Sequence, residues 1–155
     1  MRSGTRSAHP TSLLQWFQRG NAEATGTDGE RLRSTFEPVT DTVALKQVWE
    51  QSADQMVVLF QHDPYCPISA RAYREMTNLG ASIRLVDVSA DHEVSEAVEA
   101  ETGVRHESPQ VLVLWQGRAV WNASHYAITT DAVRHVLVAP MQVPGRIIPT
   151  DEVLP

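Results

Sequence analysis

The residues of this sequence best suited to chemistry are Cys66, Pro67 and Ser69, which lie within four positions of one another. A cysteine thiolate attacks disulfide bonds, and Cys66 is the only cysteine of the chain. Dithiol oxidoreductases carry a resolving cysteine three residues after the first, where this chain has Ser69. A mixed disulfide on Cys66 therefore needs an external thiol to release it, which predicts a monothiol mechanism.

The elements around Cys66 predict that its sulfur lies where a strand passes into a helix. Residues 56–60 are almost continuously apolar, which is typical of a strand covered on both faces. The helix is indicated by apolar residues at helical spacing, namely Ile68, Ala72, Met76 and Leu79. The first turn of a helix favours an anion such as a thiolate, and Pro67 suits that turn because its missing N–H costs nothing there. Ser69 is either a hydrogen-bond donor to the thiolate or an ordinary first-turn serine.

Turn-forming residues at positions 62–65 predict that the Cys66 sulfur is partly exposed, and disfavour the alternative that Cys66 is a small buried hydrophobic side chain.

The rest of the chain supplies further elements in a regular order. They are a helix capped by Thr40 or Asp41 with Leu45, Val48 and Trp49 inward, a strand at 83–88, a helix capped near Asp91 and ended by Gly103, a hairpin of 111–115 and 119–121, and a helix capped by Thr129 or Thr130. This order predicts an α/β fold of the thioredoxin type, with a mixed sheet of four to five strands and helices on both faces.

The chain divides into three segments by composition. Residues 1–34 are predicted to be a flexible extension with a short helix at 13–17 that either folds back on the domain or docks a partner. The thioredoxin-like domain is predicted at residues 35–138, and a proline-rich extended tail is predicted at residues 139–155. The net charge of −6 disfavours nucleic acid and anionic membranes as partners. Without a long apolar stretch or internal disulfide, a cytoplasmic location is expected.

Four segments of the sequence resemble the monothiol bacilliredoxin (YtxJ-like) family of the bacillithiol redox system. They are Phe60-Gln61-His62 with Cys66-Pro67-Ile68-Ser69-Ala70, then residues 72–75, 103–110 and 120–125. The resemblance implies removal of bacillithiol from mixed disulfides on client proteins, with Cys66 as nucleophile and Pro67 and Ser69 beside it. It implies bacillithiol as co-substrate, no bound cofactor, no metal, and a separate reductase that regenerates bacillithiol. Gln61 departs from the family, which often has a lysine there.

The resemblance also implies a substrate site around the cysteine loop. Thioredoxin-fold proteins have a cis proline that offers backbone groups of its preceding residue to the substrate, and Ser108–Pro109 takes that place here. Bacillithiol carries carboxylates and a sugar, so cations and hydroxyls are expected near Cys66. The residues expected to bind substrate are Tyr65, Arg105, His106, Ser108, Pro109 and His125; Arg71 and Arg74 are either further contacts or solvated side chains.

Other chemistries fit the sequence poorly. His62, His106 and His125 lack the spacing of a metal site, and Arg71 follows Cys66 one residue too early for a Cys-x5-Arg phosphate loop. A serine-hydrolase elbow and a glycine-rich phosphate loop are both missing from the sequence. The alternative that stays open is a non-catalytic thioredoxin-fold module, either a redox sensor thiolated at Cys66 or a partner-binding module.

Overall fold

A computed structural model describes residues 32–139 of the chain. Its elements are β1 (Thr35–Pro38), α1 (Thr42–Ser52), β2 (Val57–His62), α2 (Pro67–Thr77), β3 (Ser82–Asp87), α3 (His92–Thr102), β4 (Gln110–Trp115), β5 (Arg118–Ser124), a 3-10 helix (His125–Ala127) and α4 (Thr130–Val138). The predicted helix at 13–17 and the proline-rich tail beyond residue 139 lie outside the described residues. Within that range, no helix is long and apolar enough to cross a membrane.

The five strands form one mixed sheet in the order β1-β3-β2-β4-β5. Strands β1, β3 and β2 are parallel, whereas β4 pairs antiparallel with both β2 and β5. The predicted mixed sheet is therefore confirmed, at five strands. Because β2 is central and has neighbours on both sides, its backbone is held firmly up to the point where the cysteine loop begins.

Two apolar cores cover the two faces of the sheet, as predicted for helices on both faces. One core joins α2 and α4 to alternate residues of β2 and β4, including Phe60, Ala72, Met76, Val133 and Leu137. The other joins α1 and α3 to the opposite faces of the same strands, including Leu45, Val48, Leu59, Val94 and Val98. Successive side chains of a strand point to opposite faces, so one continuous apolar strand supplies both cores.

The predicted helix boundaries are largely those observed. Asp41 caps α1, and its carboxylate accepts a hydrogen bond of 2.7 Å from the Ala44 N–H. Thr129 caps α4 and accepts from the Ala132 N–H. Gly103 ends α3 at a φ of +68°, in the left-handed region that glycine enters without a steric penalty.

Three expectations about local structure were wrong. Ile68 was expected on the buried face of α2, but Ser69 is the residue that is fully buried there. The same helix was predicted to continue until Gly80, but it ends at Thr77. The second hairpin strand extends to Ser124 because β5 pairs with the whole length of β4. Strand β1 was not predicted at all.

Candidate functional site

Cys66 occupies the N-cap position of α2, with Pro67 as the first helical residue. A short turn delivers it there: the Asp63 side chain accepts a hydrogen bond of 2.9 Å from the Tyr65 N–H, and the Asp63 carbonyl accepts one of 3.2 Å from the Cys66 N–H. The thiol is free and partly exposed, and it makes no capping hydrogen bond within residues 32–139. The Cys66 sulfur therefore lies beside the unpaired N–H groups of the first helical turn, where a thiolate would be favoured.

The hydroxyl of Ser69 forms hydrogen bonds to two residues that precede Cys66. It accepts a hydrogen bond of 2.9 Å from the Asp63 N–H and lies 2.7 Å from Nδ1 of His62. Ser69 is fully buried, and within residues 32–139 its hydroxyl has no other acceptor than the histidine nitrogen, so the serine proton points there. The Ser69 hydroxyl therefore holds the cysteine loop together, a role that differs from both of the alternatives predicted for it.

His62, the last residue of β2, packs its ring among aromatic side chains. The ring centroids of Phe60 and Tyr73 lie 5.4 Å and 5.1 Å from that of His62. Burial lowers the pKa of His62, and this effect outweighs the opposing attraction of the Asp87 and Asp63 carboxylates for a protonated ring. The neutral ring is the form that accepts a hydrogen bond from Ser69.

The peptide bond between Ser108 and Pro109 is cis, and this segment precedes β4 directly. Gln61 of β2 pairs with Gln110 of β4 in antiparallel register. Cys66 follows Gln61 by five residues and Pro109 precedes Gln110 by one, so both lie at the same edge of the sheet. The Ser108 hydroxyl oxygen is buried there and has no hydrogen-bond partner among the described residues.

The loop at 105–109 is fixed at both ends by hydrogen bonds. The His106 N–H donates to the Glu99 carboxylate of α3 at 2.8 Å, and the Pro109 carbonyl accepts from the His125 N–H at 3.0 Å. The loop is also joined to β2 by two buried glutamines that sequence reasoning missed as a site feature, Gln61 and Gln110. The signal available in the sequence was a glutamine within an otherwise apolar strand.

A cationic and aromatic group flanks this edge on the α2 side. The Arg71 guanidinium lies 5.5 Å from the centre of the Tyr126 ring and donates a hydrogen bond of 3.3 Å to the Ile128 carbonyl. His125, at a φ of +52°, places Nδ1 3.5 Å from a Glu107 carboxylate oxygen. Arg71 is therefore an ordered side chain and not a solvated one.

The remaining expected substrate contacts are open to solvent. Tyr65 is 85% exposed beside Cys66, and Arg105 is exposed on the loop that leads to Pro109. Within residues 32–139, no three His, Cys, Asp or Glu side chains are grouped so that they could hold a metal ion. The site therefore offers a thiol, backbone groups and scattered cations.

The chain is similar over residues 37–133 to the family model described as "Monothiol bacilliredoxin BrxC". Among solved structures it is similar to a thioredoxin-fold protein described as a candidate oxidoreductase, with 26% identity, a TM-score of 0.59, and coverage of 63% of this chain and 89% of that one.

Two thioredoxins share the fold at lower identity. The Malassezia sympodialis protein is 13% identical, with a TM-score of 0.56 and coverage of 72% of this chain and 96% of its own. The Trypanosoma brucei brucei protein is 12% identical, with a TM-score of 0.55 and coverage of 72% and 94%. The fold is thus that of thioredoxin. Since the family model matches well over half of this chain, the chain belongs to the monothiol bacilliredoxin family.

Proposed function

We propose that this protein is a monothiol thiol–disulfide oxidoreductase that removes bacillithiol, or a similar small thiol, from mixed disulfides on client proteins. The observation that carries the proposal is the free, partly exposed Cys66 at the N-cap of α2, at the same sheet edge as the cis Ser108–Pro109 segment. Membership of the bacilliredoxin family supports the same chemistry.

The reaction consists of two thiol–disulfide exchanges. The Cys66 thiolate attacks the small-thiol sulfur of the client's mixed disulfide, forms a new disulfide with it, and expels the client cysteine as a thiolate that then takes up a proton. A second small-thiol molecule attacks as a thiolate, forms the symmetric small-thiol disulfide, and expels the Cys66 thiolate. The client cysteine is reduced, the attacking small-thiol molecule is oxidised, and a separate reductase converts the symmetric disulfide back to two thiols.

The residues proposed to act in these steps have distinct roles. Cys66 is the nucleophile, and Pro67 begins the helix that carries it. Because Ser69 supplies no second thiol, the mixed disulfide between Cys66 and the small thiol persists until an external thiol attacks it. The backbone of Ser108 and Pro109 is proposed to bind the substrate disulfide in an extended conformation. The side chains proposed to contact the rest of the small thiol or the client are Tyr65, Arg105, His106 and His125.

The partners follow from the two exchanges. They are bacillithiolated client proteins, bacillithiol as a co-substrate, and the reductase that regenerates it, with no cofactor bound to the protein itself. The second exchange needs a large pool of reduced small thiol, which is characteristic of the cytoplasm. We therefore propose that the protein acts there.

Intact-protein mass spectrometry tests the proposal directly. Reduced protein is mixed with a bacillithiol-modified client, and in parallel with a glutathione-modified client. We expect an adduct of bacillithiol mass on Cys66 that free bacillithiol removes, formed faster than any glutathione adduct. The Cys66→Ser variant should form none.

Two other outcomes would point elsewhere. One adduct that free bacillithiol does not clear would indicate a redox sensor that stops after a single modification. An unchanged protein mass beside a client that stays modified would contradict the enzymatic proposal and favour a partner-binding module.

A further inference from the structure

Two glutamines form a buried amide pair beneath the cis-proline loop. Gln61 and Gln110 are 0% and 2% exposed, and they face each other across β2 and β4. Gln61 lies on the face of the sheet opposite to His62, because side chains alternate along a strand. Amide groups this deeply buried must be fully hydrogen-bonded, so the orientation of each one can be worked out from its neighbours.

The carbonyl oxygen of Arg105 fixes the orientation of the whole network, because a carbonyl can only accept. It lies 2.9 Å from the Gln110 side chain, which must therefore turn its NH2 group toward it. The Gln110 oxygen is then left to accept from the Gln61 NH2 group, at 2.8 Å. This arrangement leaves the Gln61 oxygen facing Nδ1 of His106, at 3.1 Å. Two acceptors cannot pair, so Nδ1 of His106 carries the proton.

From this geometry we propose that Gln61 is a positioning residue that sets the tautomer of His106, with the proton on Nδ1. The lone pair of the ring is then on Nε2, the nitrogen that the network does not use. Resting on the proposed function, we assign this lone pair as the acceptor for a hydrogen-bond donor of the small thiol, a sugar hydroxyl. A lone pair at this place accepts from a hydroxyl and cannot accept from a carboxylate, which has no proton to donate.

The residue at position 61 determines whether Nε2 of His106 presents a lone pair or an N–H group to the ligand. A lysine at this position would bring an ammonium group, which has three donors and no acceptor. Opposite a lysine, Nδ1 of His106 would have to accept, and the proton would move to Nε2. The ring would then present an N–H donor to the ligand. Exchanging Gln61 for lysine would therefore reverse the hydrogen-bonding character of the site while His106 itself stays the same.

The position of His106 fits a ligand contact. Its ring is partly exposed, and its main-chain N–H is tied to Glu99, so ring and backbone are both held. It lies two residues before Ser108, on the loop where the substrate disulfide is proposed to bind. Because three hydrogen bonds join residues 105 and 106 to Glu99, Gln61 and Gln110, the ring is oriented before the ligand arrives.

Long-range proton–nitrogen NMR on the full-length, nitrogen-labelled protein measures the tautomer without any substrate. The spectrum is recorded near pH 8, where histidine side chains are ordinarily neutral, and the His106→Asn variant identifies the His106 signals. We expect a protonated Nδ1 and an unprotonated Nε2 in the wild type, and the reverse in Gln61→Lys. A protonated Nε2 in the wild type would overturn the proposal, whatever the variants do.

Kinetics test the ligand contact. The KM for bacillithiol in the second exchange should rise about tenfold in Gln61→Lys, with kcat little changed, as expected for one lost hydrogen bond. Free cysteine, which lacks the sugar, should show no such change. The neutral Gln61→Met variant, which removes the amide but adds no charge, should also raise the KM for bacillithiol. Gln47→Lys, on the exposed side of α1, is the matched control and should behave as the wild type.

The outcomes separate this proposal from the proposed function. An Nδ1–H tautomer with an unchanged KM in both Gln61 variants would overturn the ligand contact. A protein that never acquires bacillithiol on Cys66 would overturn the proposed function and with it the ligand contact, while the tautomer would stand on the spectra alone.

Discussion

The hydroxyl of Ser69 lies 2.7 Å from Nδ1 of His62, and the same oxygen accepts a hydrogen bond from the Asp63 N–H. Ser69 belongs to the first turn of α2 and His62 ends β2, so one buried side chain closes the loop that carries Cys66. At the position where dithiol enzymes have a resolving cysteine, this chain has a serine that holds the cysteine loop to the end of β2 by hydrogen bonds. The loop's shape therefore depends on a residue that does not itself exchange disulfides.

Replacing Ser69 with alanine should lower the free energy of unfolding by about 1–3 kcal/mol. The substitution leaves the Asp63 N–H and His62 Nδ1 without their partner in a part-buried site. Urea denaturation measures the change. Ser82→Ala is the matched control, since its hydroxyl bonds to Glu37 on the exposed surface and its loss should cost about 0.5 kcal/mol or less. Equal losses in the two variants would show that Ser69 does not clamp the loop.

Replacing Ser69 with cysteine should convert the protein to a dithiol form. The pair Cys66 and position 69 lies within one helical turn, a separation that an intramolecular disulfide can bridge. Mild oxidation should therefore yield a species lighter by two hydrogen atoms, and a small-thiol adduct on Cys66 should disappear without added thiol. Ser82→Cys is the control: β2 and β3 are parallel, and Ser82 starts β3 at the sheet edge opposite to Cys66, so no internal disulfide should form. A persistent adduct in Ser69→Cys would contradict the prediction.

Acidification should weaken the fold through His62. Burial lowers the pKa of His62 in the folded protein below its ordinary value of 6.5, despite the nearby carboxylates of Asp63 and Asp87. The unfolded chain therefore takes up this proton at a higher pH than the folded chain does. The stabilising contribution is complete above pH 6.5 and is lost as the pH falls from there toward the folded-state pKa.

Urea denaturation at a series of pH values measures that loss. His62→Asn, whose amide can still bond to Ser69, should lack the part of the pH dependence that begins near 6.5. His135→Asn, at an exposed position in α4, should keep it. Identical pH dependence in the His62 variant and the wild type would contradict the assignment.

The order of the elements could be predicted because most of them carry strong periodic signals. The apolar run of β2 and the capping residues Asp41 and Thr129 each have a local physical cause. Strand β1 lacked such a signal, because its four residues contain one apolar side chain, Phe36, and end in Pro38. It exists through pairing with β3, a long-range partner that local pattern does not reveal.

The candidate site could be predicted only at residues whose side-chain chemistry and place between two predicted elements both indicate a function. Cys66 was recognisable because a thiol at a strand-to-helix junction has few structural explanations. The burial of Ser69 could not be predicted, because a buried hydroxyl is stable only with partners, and these come from the end of β2 and the residue after it. The Gln61–Gln110 pair depends on strand register, which no single segment of the sequence encodes.

Glu75 should stabilise the protein by its charge. Its carboxylate, on α2, accepts a hydrogen bond of 2.8 Å from the Thr130 N–H in the first turn of α4, and this bond is the main reason that the pKa of Glu75 lies below its ordinary value of 4.5. A negative charge at a helix N-terminus is stabilising. Glu75→Gln keeps an acceptor oxygen but loses the charge, so we expect a loss of about 0.5–1 kcal/mol at neutral pH.

The pH dependence of that loss identifies its cause. A carboxyl group with a lowered folded-state pKa contributes stability that is present above pH 4.5 and is lost as the pH falls through the folded-state value. The difference between wild type and Glu75→Gln should therefore shrink toward zero under acid conditions. Glu96→Gln, at an exposed position in α3, should show little difference at any pH. A Glu75→Gln deficit that persists unchanged in acid would mean that the glutamine disturbs packing between α2 and α4, and that the charge itself contributes nothing.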